Sequence, residues 1–125
     1  MLRKKVGLGQ ELVVNGDFAT DSVWDKRGAG TTINSGECHF NWGSSAYILL
    51  QNAVTTIGVT YKLAYEITSY TSGSIQAYNN TGQLVPHSEV GSFTEVFEAT
   101  STSISWRSIS SFVGSIDNVS IKEVL

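Results

Sequence analysis

The groups that could carry catalysis are few in this sequence and form no recognised pattern. Its two histidines, His39 and His87, lie far apart, so neither belongs to an HxH or HxxxH spacing that binds a metal. The single cysteine, Cys38, excludes an intrachain disulfide and a cysteine-based metal site, and its alternation with Phe40 predicts a buried apolar role. No GxSxG element, reactive-cysteine motif or phosphate-binding glycine loop occurs.

The carboxylates that a glycoside hydrolase would need are present as Glu37, Glu66, Glu89 and Glu95. A domain of 125 residues with short loops, however, has little room for a walled cleft around a carboxylate pair. We therefore expect a protein that is not an enzyme.

Sugar recognition is a second kind of chemistry that these residue types support. Aromatic rings on an exposed surface stack on the C–H face of a sugar, and amides bind its hydroxyls. The rings expected outside the core, with nearby amides, are Trp42, Tyr47, Tyr70 and Tyr78 with Gln51, Gln76 and Asn41. The alternative is that Trp42 and Tyr47 complete the core or a subunit contact. Trp24 and Trp106 are expected in the core.

The composition predicts one β-rich domain. Of its 125 residues 41% are hydrophobic, and 12 glycines with abundant serine and threonine stand against a single proline, a mixture that favours strands and turns. The net charge of -3 disfavours binding to nucleic acid or to an anionic membrane. No segment has the length and hydropathy of a membrane span or of a secretory signal, which predicts synthesis in the host cytoplasm without a signal peptide.

The first ten residues differ from the rest, because Arg3, Lys4 and Lys5 are three of only eight basic residues in the chain. We interpret residues 1–10 as a basic arm and residues 11–125 as a single domain. The arm is either a frayed terminus or an extension that docks on a neighbouring subunit.

Period-two alternation of apolar and polar residues recurs along the chain, most clearly over 61–67, where Tyr61, Leu63, Tyr65 and Ile67 share one face. In 92–99, Glu95 falls in phase with the apolar residues, which predicts a bulge or an end open to water. No helical periodicity is found. We predict an all-β antiparallel β-sandwich, a jelly roll of about nine short strands with turns at 71–73 and 110–111 and no long helix.

The first and last stretches are predicted to pair, because both alternate and each needs a partner strand. They are Glu11-Leu-Val-Val-Asn-Gly-Asp-Phe18 and Gly114-Ser-Ile-Asp-Asn-Val-Ser-Ile-Lys-Glu-Val124. Pairing them closes the sandwich and places Asp17 and Asp117 at one end of it.

These motifs carry a resemblance to a known family. The 12–18 stretch, Trp24, Gln51, Gly58-Val-Thr-Tyr-Lys-Leu63 and the 114–121 stretch resemble the galactose-binding-like jelly rolls that include many carbohydrate-binding modules. The resemblance spans residues 11–124. This version of the motifs looks like domains of bacteriophage virion proteins, both in tail fibres and as small proteins that decorate capsids.

The resemblance also implies a structural calcium ion, since carbohydrate-binding relatives often bind one through an acidic residue after the Phe and an Asp in the last strand. Asp117 matches the second position. Ala19 stands at the first, where Asp17 or Asp21 and backbone carbonyls would have to substitute. The alternative is that Asp17 and Asp117 only make turn hydrogen bonds, and no other cofactor is expected.

Two functions stay open at this point. The one we favour is a non-catalytic structural protein on the virion surface, a capsid decoration (cement) protein that packs on the major capsid protein or on sibling subunits as a homo-oligomer and also contacts host glycans. Three features support it: the phage-like version of the motifs, the basic arm, and the lack of an attached enzyme or signal peptide. The second is a stand-alone or tail-fibre carbohydrate-binding module.

Overall fold

The computed structural model describes residues 7–80 and 84–125, which fold entirely as antiparallel β-structure. Its strands are β1 Asp25–Lys26, β2 Thr31–Asn34, β3 Glu37–Asn41, β4 Ala46–Gln51, β5 Thr60–Tyr78, β6 Gly91–Glu98 and β7 Ile104–Glu123. No helix occurs within these two ranges, so they contain no helix that is long and apolar enough to cross a membrane. The predicted all-β fold is confirmed.

The strand count differs from the prediction, because two expected turns lie inside long strands. β5 and β7 pair with each other along almost their whole length, from Tyr61 opposite Glu123 to Tyr78 opposite Ser105. The residues expected to end these strands instead adopt left-handed backbone conformations within them, at Gly73 with φ 72°, Ser110 with φ 54° and Ser111 with φ 65°. Such residues bulge and bend a strand without ending it. The described residues therefore form seven strands, two of them long and bent, where about nine short ones were expected.

The bent strands place their two halves on opposite sides of one core. The later part of β5 and the start of β7 join β4 and β1, whereas the earlier part of β5 pairs with β6 and the end of β7. Tyr65 in the first half of β5 and Trp106 at the start of β7 are not ladder partners, yet their rings meet edge to face with centroids 6.0 Å apart. This contact crosses the interior of a sandwich. Trp24 adds a second edge-to-face contact to Trp106 at 5.7 Å, and Cys38 is fully buried.

The segment at 11–15 is not a regular strand, although it lies along the end of β7. Leu12 N donates to the Ile121 carbonyl at 3.0 Å, and Val119 N donates to the Gly16 carbonyl at 2.9 Å. Only glycine fits at position 16, since a Cβ there would lie 2.1 Å from the Val119 carbonyl oxygen. The Asn15-Gly16 pair thus allows the first stretch to approach the last.

The predicted docking residues Arg3, Lys4 and Lys5 lie outside the described residues, so their role stays a prediction. Just after them, Gly9 N donates to the Glu123 carbonyl at 2.8 Å, and Leu8 forms an isolated bridge with Val124. Residues 8 and 9 therefore continue the contact with the end of β7.

Candidate functional site

The outer face of β4, β7 and β5 carries a small grid of polar and aromatic side chains. Directly opposed residues in a sheet point to the same face. Two rows cross the three strands in register, Tyr47 with Arg107 and Gln76, and Leu50 with Ser105 and Tyr78. The row between them, Leu49 with Trp106 and Ala77, is buried and faces the core. The sheet therefore turns one face inward and the other outward.

A groove of about 240 Å³ lies at one end of this outer face. Its floor comes from the three strands, and its walls come from the residues after β1, after β5 and before β7. The lining residues are Arg27, Tyr47, Leu50, Tyr78, Asn80, Ser101, Ser103 and Ser105. Two aromatic rings thus stand among hydroxyl, amide and guanidinium groups, the mixture that sugar binding requires.

The two tyrosines of the groove contact one another. Their ring centroids are 5.4 Å apart, with 65° between the ring planes, the edge-to-face geometry that aromatic pairs favour. Tyr47 keeps 46% of its surface exposed, so a ligand can reach its ring. A hydrogen bond with the Tyr78 side chain, followed by burial, raises the pKa of Tyr47, while nearby Arg107 opposes the shift. The ring of Tyr47 and its neutral hydroxyl are thus both accessible at the rim of the groove.

Asn79 is a buried residue whose hydrogen bonds hold one wall of the groove in place. Only 3% of its surface is exposed, and its amide donates to the Ser103 carbonyl at 2.7 Å. Its side-chain oxygen accepts from Thr100 N at 2.8 Å, and its carbonyl accepts from the Thr100 hydroxyl at 2.7 Å. One buried side chain therefore ties the end of β5 to residues 100–103, which carry two of the lining serines.

Three residues predicted for a glycan platform lie elsewhere. Gln51 is buried, and its amide exchanges two hydrogen bonds of 2.9 Å with the backbone of Val14, so it anchors the first stretch. Trp42 packs over Gly28 and Gly30 and donates to the Thr31 hydroxyl at 3.0 Å.

Tyr70 lies against Phe112, with ring centroids 6.3 Å apart, and donates its hydroxyl to the Gly73 carbonyl at 2.8 Å. Of the predicted platform residues, only Tyr47, Gln76 and Tyr78 share the outer face with the groove. Gln76 uses its amide to donate to the Leu84 carbonyl at 2.7 Å, so it holds the 84–87 segment beside β5.

Sequence reasoning missed several groove residues, which are Arg27, Asn80, Ser101, Ser103 and Ser105, and it missed Arg107, which lies beside the groove on the same outer face. Serines are too common in this chain to stand out. Arg107 had a usable signal, since it follows the buried Trp106 and so must face outward in an alternating strand.

The two predicted calcium ligands make turn hydrogen bonds. Asp117 Oδ1 accepts from Asn118 N at 2.7 Å, and Asp17 Oδ1 accepts from Ala19 N at 3.2 Å. Partial burial raises the pKa of Asp117, and the nearby carboxylates of Glu37, Glu66 and Asp17 add to the shift. Within the described ranges, no three His, Cys, Asp or Glu side chains come together to hold a metal ion. The geometry accounts for both aspartates without a metal, and calcium stays a prediction.

No protein-family model matches the sequence, and no curated protein matches it. Solved structures match the fold. The CBM22-1 xylan-binding domain from Paenibacillus barcinonensis Xyn10C is similar over 98% of both chains, with a TM-score of 0.56 and 9% identity.

Two larger structures also match. One comprises the CBM22-1–GH10 modules of Clostridium thermocellum endo-1,4-β-D-xylanase 10B complexed with xylohexaose, with a TM-score of 0.60, 16% identity and coverage of 90% of this chain and 28% of that one. The other is an arabinose-bound GH51 α-L-arabinofuranosidase, with a TM-score of 0.57, 13% identity and coverage of 96% and 27%. This chain thus spans under a third of either structure. At these identities the likeness shows a shared β-sandwich fold.

Proposed function

We propose that this domain binds carbohydrate, with the groove around Tyr47 and Tyr78 as its binding site. The observation that carries the proposal is the tyrosine pair, with Tyr47 exposed, set in a groove lined by serine hydroxyls and an asparagine amide. Rings supply apolar surface for a sugar ring, and the hydroxyls and amide supply partners for its hydroxyl groups. The residues are those of a binding site, with no pair of carboxylates in the lining to act as acid and base.

The comparisons favour this function over the capsid-decoration prediction. One neighbour that matches this chain end to end is a xylan-binding domain, and another structure holds xylohexaose. Neither these neighbours nor the described residues offer support for a virion context, a major capsid protein partner or a homo-oligomer. Those assignments stay untested predictions, and a glycan-binding domain is compatible with a virion location.

The experiment that tests the function is affinity electrophoresis of the full chain in gels that contain soluble polysaccharides, followed by calorimetry with the best ligand. We expect retardation by at least one polysaccharide. Tyr47→Ala and Tyr78→Ala should each weaken binding about tenfold, since stacking on an aromatic ring contributes on the order of 1 kcal/mol or more.

Val96→Ala is the matched control, because Val96 is 65% exposed on β6, outside the groove. It should bind as the unmodified protein does. Failure to bind any polysaccharide would refute the proposal. Full affinity in a folded Tyr47→Ala, Tyr78→Ala double variant would move the site elsewhere.

A further inference from the structure

Arg107 lies beside the groove, and stacking on tyrosines does not explain its position there. It lies between Tyr47 and Gln76 in one row of the outer face. Its charge acts on the phenol of Tyr47, lowering a pKa that hydrogen bonding to Tyr78 and burial raise. The ion pairs found among residues 7–80 and 84–125 do not include Arg107. A guanidinium without a carboxylate partner therefore stands beside the exposed ring.

The second cation of the site is Arg27, which lines the groove itself. Its guanidinium is 2.8 Å from the Asp25 carboxylate, with about half of each side chain exposed, so this pair is weak and open to exchange. No carboxylate belongs to the groove lining. The groove thus has one cation in its lining and a second, Arg107, beside its tyrosine Tyr47.

Four acidic side chains gather in a different part of the domain. Glu66 faces Asp117 directly in the β5–β7 ladder, and Glu37 and Asp17 act on the same carboxyl. In a chain of net charge -3, the groove lining holds a cation and no carboxylate, and Arg107 stands next to it. Such local positive charge attracts anionic ligands.

We propose that the groove selects glycans that carry carboxylate groups, that is, polysaccharides containing uronic acid residues. This inference rests on the proposed carbohydrate-binding function and specifies the substrate class. The sugar ring would pack on Tyr47 while its carboxylate meets Arg107, whose planar fork matches a carboxylate through two parallel hydrogen bonds. Neutral sugars would lack that contact.

The test compares ligands that differ only in charge. Oligogalacturonate and its methyl ester form one pair, and glucuronoxylan oligosaccharides and their carboxyl-reduced form make a second. Calorimetry with the full chain should show at least tenfold tighter binding to the charged member of one or both pairs, with an affinity that falls as salt rises.

Arg107→Gln should abolish that preference, so that the charged and neutral members bind with similar affinity, and Arg107→Lys should restore part of it. Lys62→Gln removes one positive charge from the other half of β5 and serves as the charge-matched control, which should retain the preference. Equal or tighter binding to neutral members, or a preference that survives in Arg107→Gln, would overturn the inference and leave the proposed function standing. Binding to no glycan of either kind would overturn both.

Discussion

Tyr47 and Tyr78 meet edge to face at 5.4 Å although they come from strands on opposite sides of β7. Tyr47 faces Arg107 and Tyr78 faces Ser105, so the two rings are diagonal neighbours across the middle strand. The contact depends on the register of three strands that are distant in sequence. The groove is therefore a product of the fold, and residues that secure the fold near it should also secure binding.

Asn79 is the first such residue. Asn79→Ala removes the hydrogen bonds that this buried side chain makes with the partly buried Ser103 carbonyl and Thr100 amide. We expect a loss of about 2–4 kcal/mol in the free energy of unfolding, measured by urea denaturation, together with weaker glycan binding. Asn52→Ala, at an exposed position, is the control and should change stability by less than about 0.5 kcal/mol. A fully stable Asn79→Ala variant would contradict the structural role given to this residue.

Gly16 should tolerate no side chain. Alanine there would bring Cβ to 2.1 Å from the Val119 carbonyl oxygen, so the first stretch must move away from β7. The expected cost is about 1–3 kcal/mol, as for other overpacked sites, read from thermal and urea unfolding. Gly43 has open space around its Cα, so Gly43→Ala should be close to neutral. Equal stability of the two variants would show that the first stretch does not lie against β7 as described.

Cys38 should be unreactive in the folded protein. Burial raises the pKa of its thiol to about 12, so almost no thiolate forms at the mildly alkaline pH of alkylation. We predict that iodoacetamide labels Cys38 only as fast as the protein unfolds, whereas the urea-denatured chain is labelled at once. Mass spectrometry over time gives the rate. Rapid labelling without denaturant would contradict the burial of β3 against the core.

Asp117→Asn should stabilise the protein at neutral pH. The pKa of Asp117 is higher in the folded protein than in the unfolded chain, so protonating Asp117 stabilises the fold. This stabilisation is complete below the ordinary carboxyl pKa and is lost as the pH rises through the raised pKa of the folded state. Asparagine removes the repulsion from Glu66 at every pH, a gain of about 0.2–1 kcal/mol for an opposed like-charged pair. The gain over the unmodified protein should disappear below about pH 4. Glu89→Gln, at an exposed site, should show no such pH-dependent gain.

The same variant tests the calcium prediction. If Asp17 and Asp117 bind Ca²⁺, added calcium chloride raises the melting temperature of the unmodified protein and leaves that of Asp117→Asn unchanged. Equal responses to calcium in the two proteins would reject a site at Asp117.

Much of the fold follows from local alternation. Tyr61, Leu63, Tyr65 and Ile67 are each at most 3% exposed, as their period of two predicts. The prediction of turns at 71–73 and 110–111 was wrong, because serine and glycine also serve as bulge residues with positive φ inside a strand. Sequence composition does not separate a bend within a strand from the end of one.

Glu95 shows why the rest of the fold could not be predicted from local sequence patterns. It breaks the alternation of 92–99, yet β6 stays in regular register with β5 at this point, so the expected bulge is absent. Instead, Val85 N donates to the Glu95 carboxylate at 2.6 Å, and the His87 ring nitrogen lies 3.8 Å from it. A segment from outside the strand covers this side chain, and no local pattern reports that.

The groove was predictable only in part for the same reason. Alternation within strands predicts which tyrosines face outward, and Tyr47 and Tyr78 were predicted as site residues on that basis. The register shift in β4 between Tyr47 and Leu49 buries Ile48 and Leu49 together and decides which residues join the outer face. That shift, and with it the place of Arg107 beside Tyr47, depends on pairing with β7.

The most direct measurement is an NMR titration of the full chain with fragments of whichever polysaccharide retards it. We predict that the ring protons of Tyr47 and Tyr78 and the backbone amides of residues 101–107 shift together and saturate at one affinity. Shifts confined to other surfaces, such as the concavity between Glu11 and Asn118, with the tyrosine rings unmoved, would contradict the assignment of this groove as the binding site.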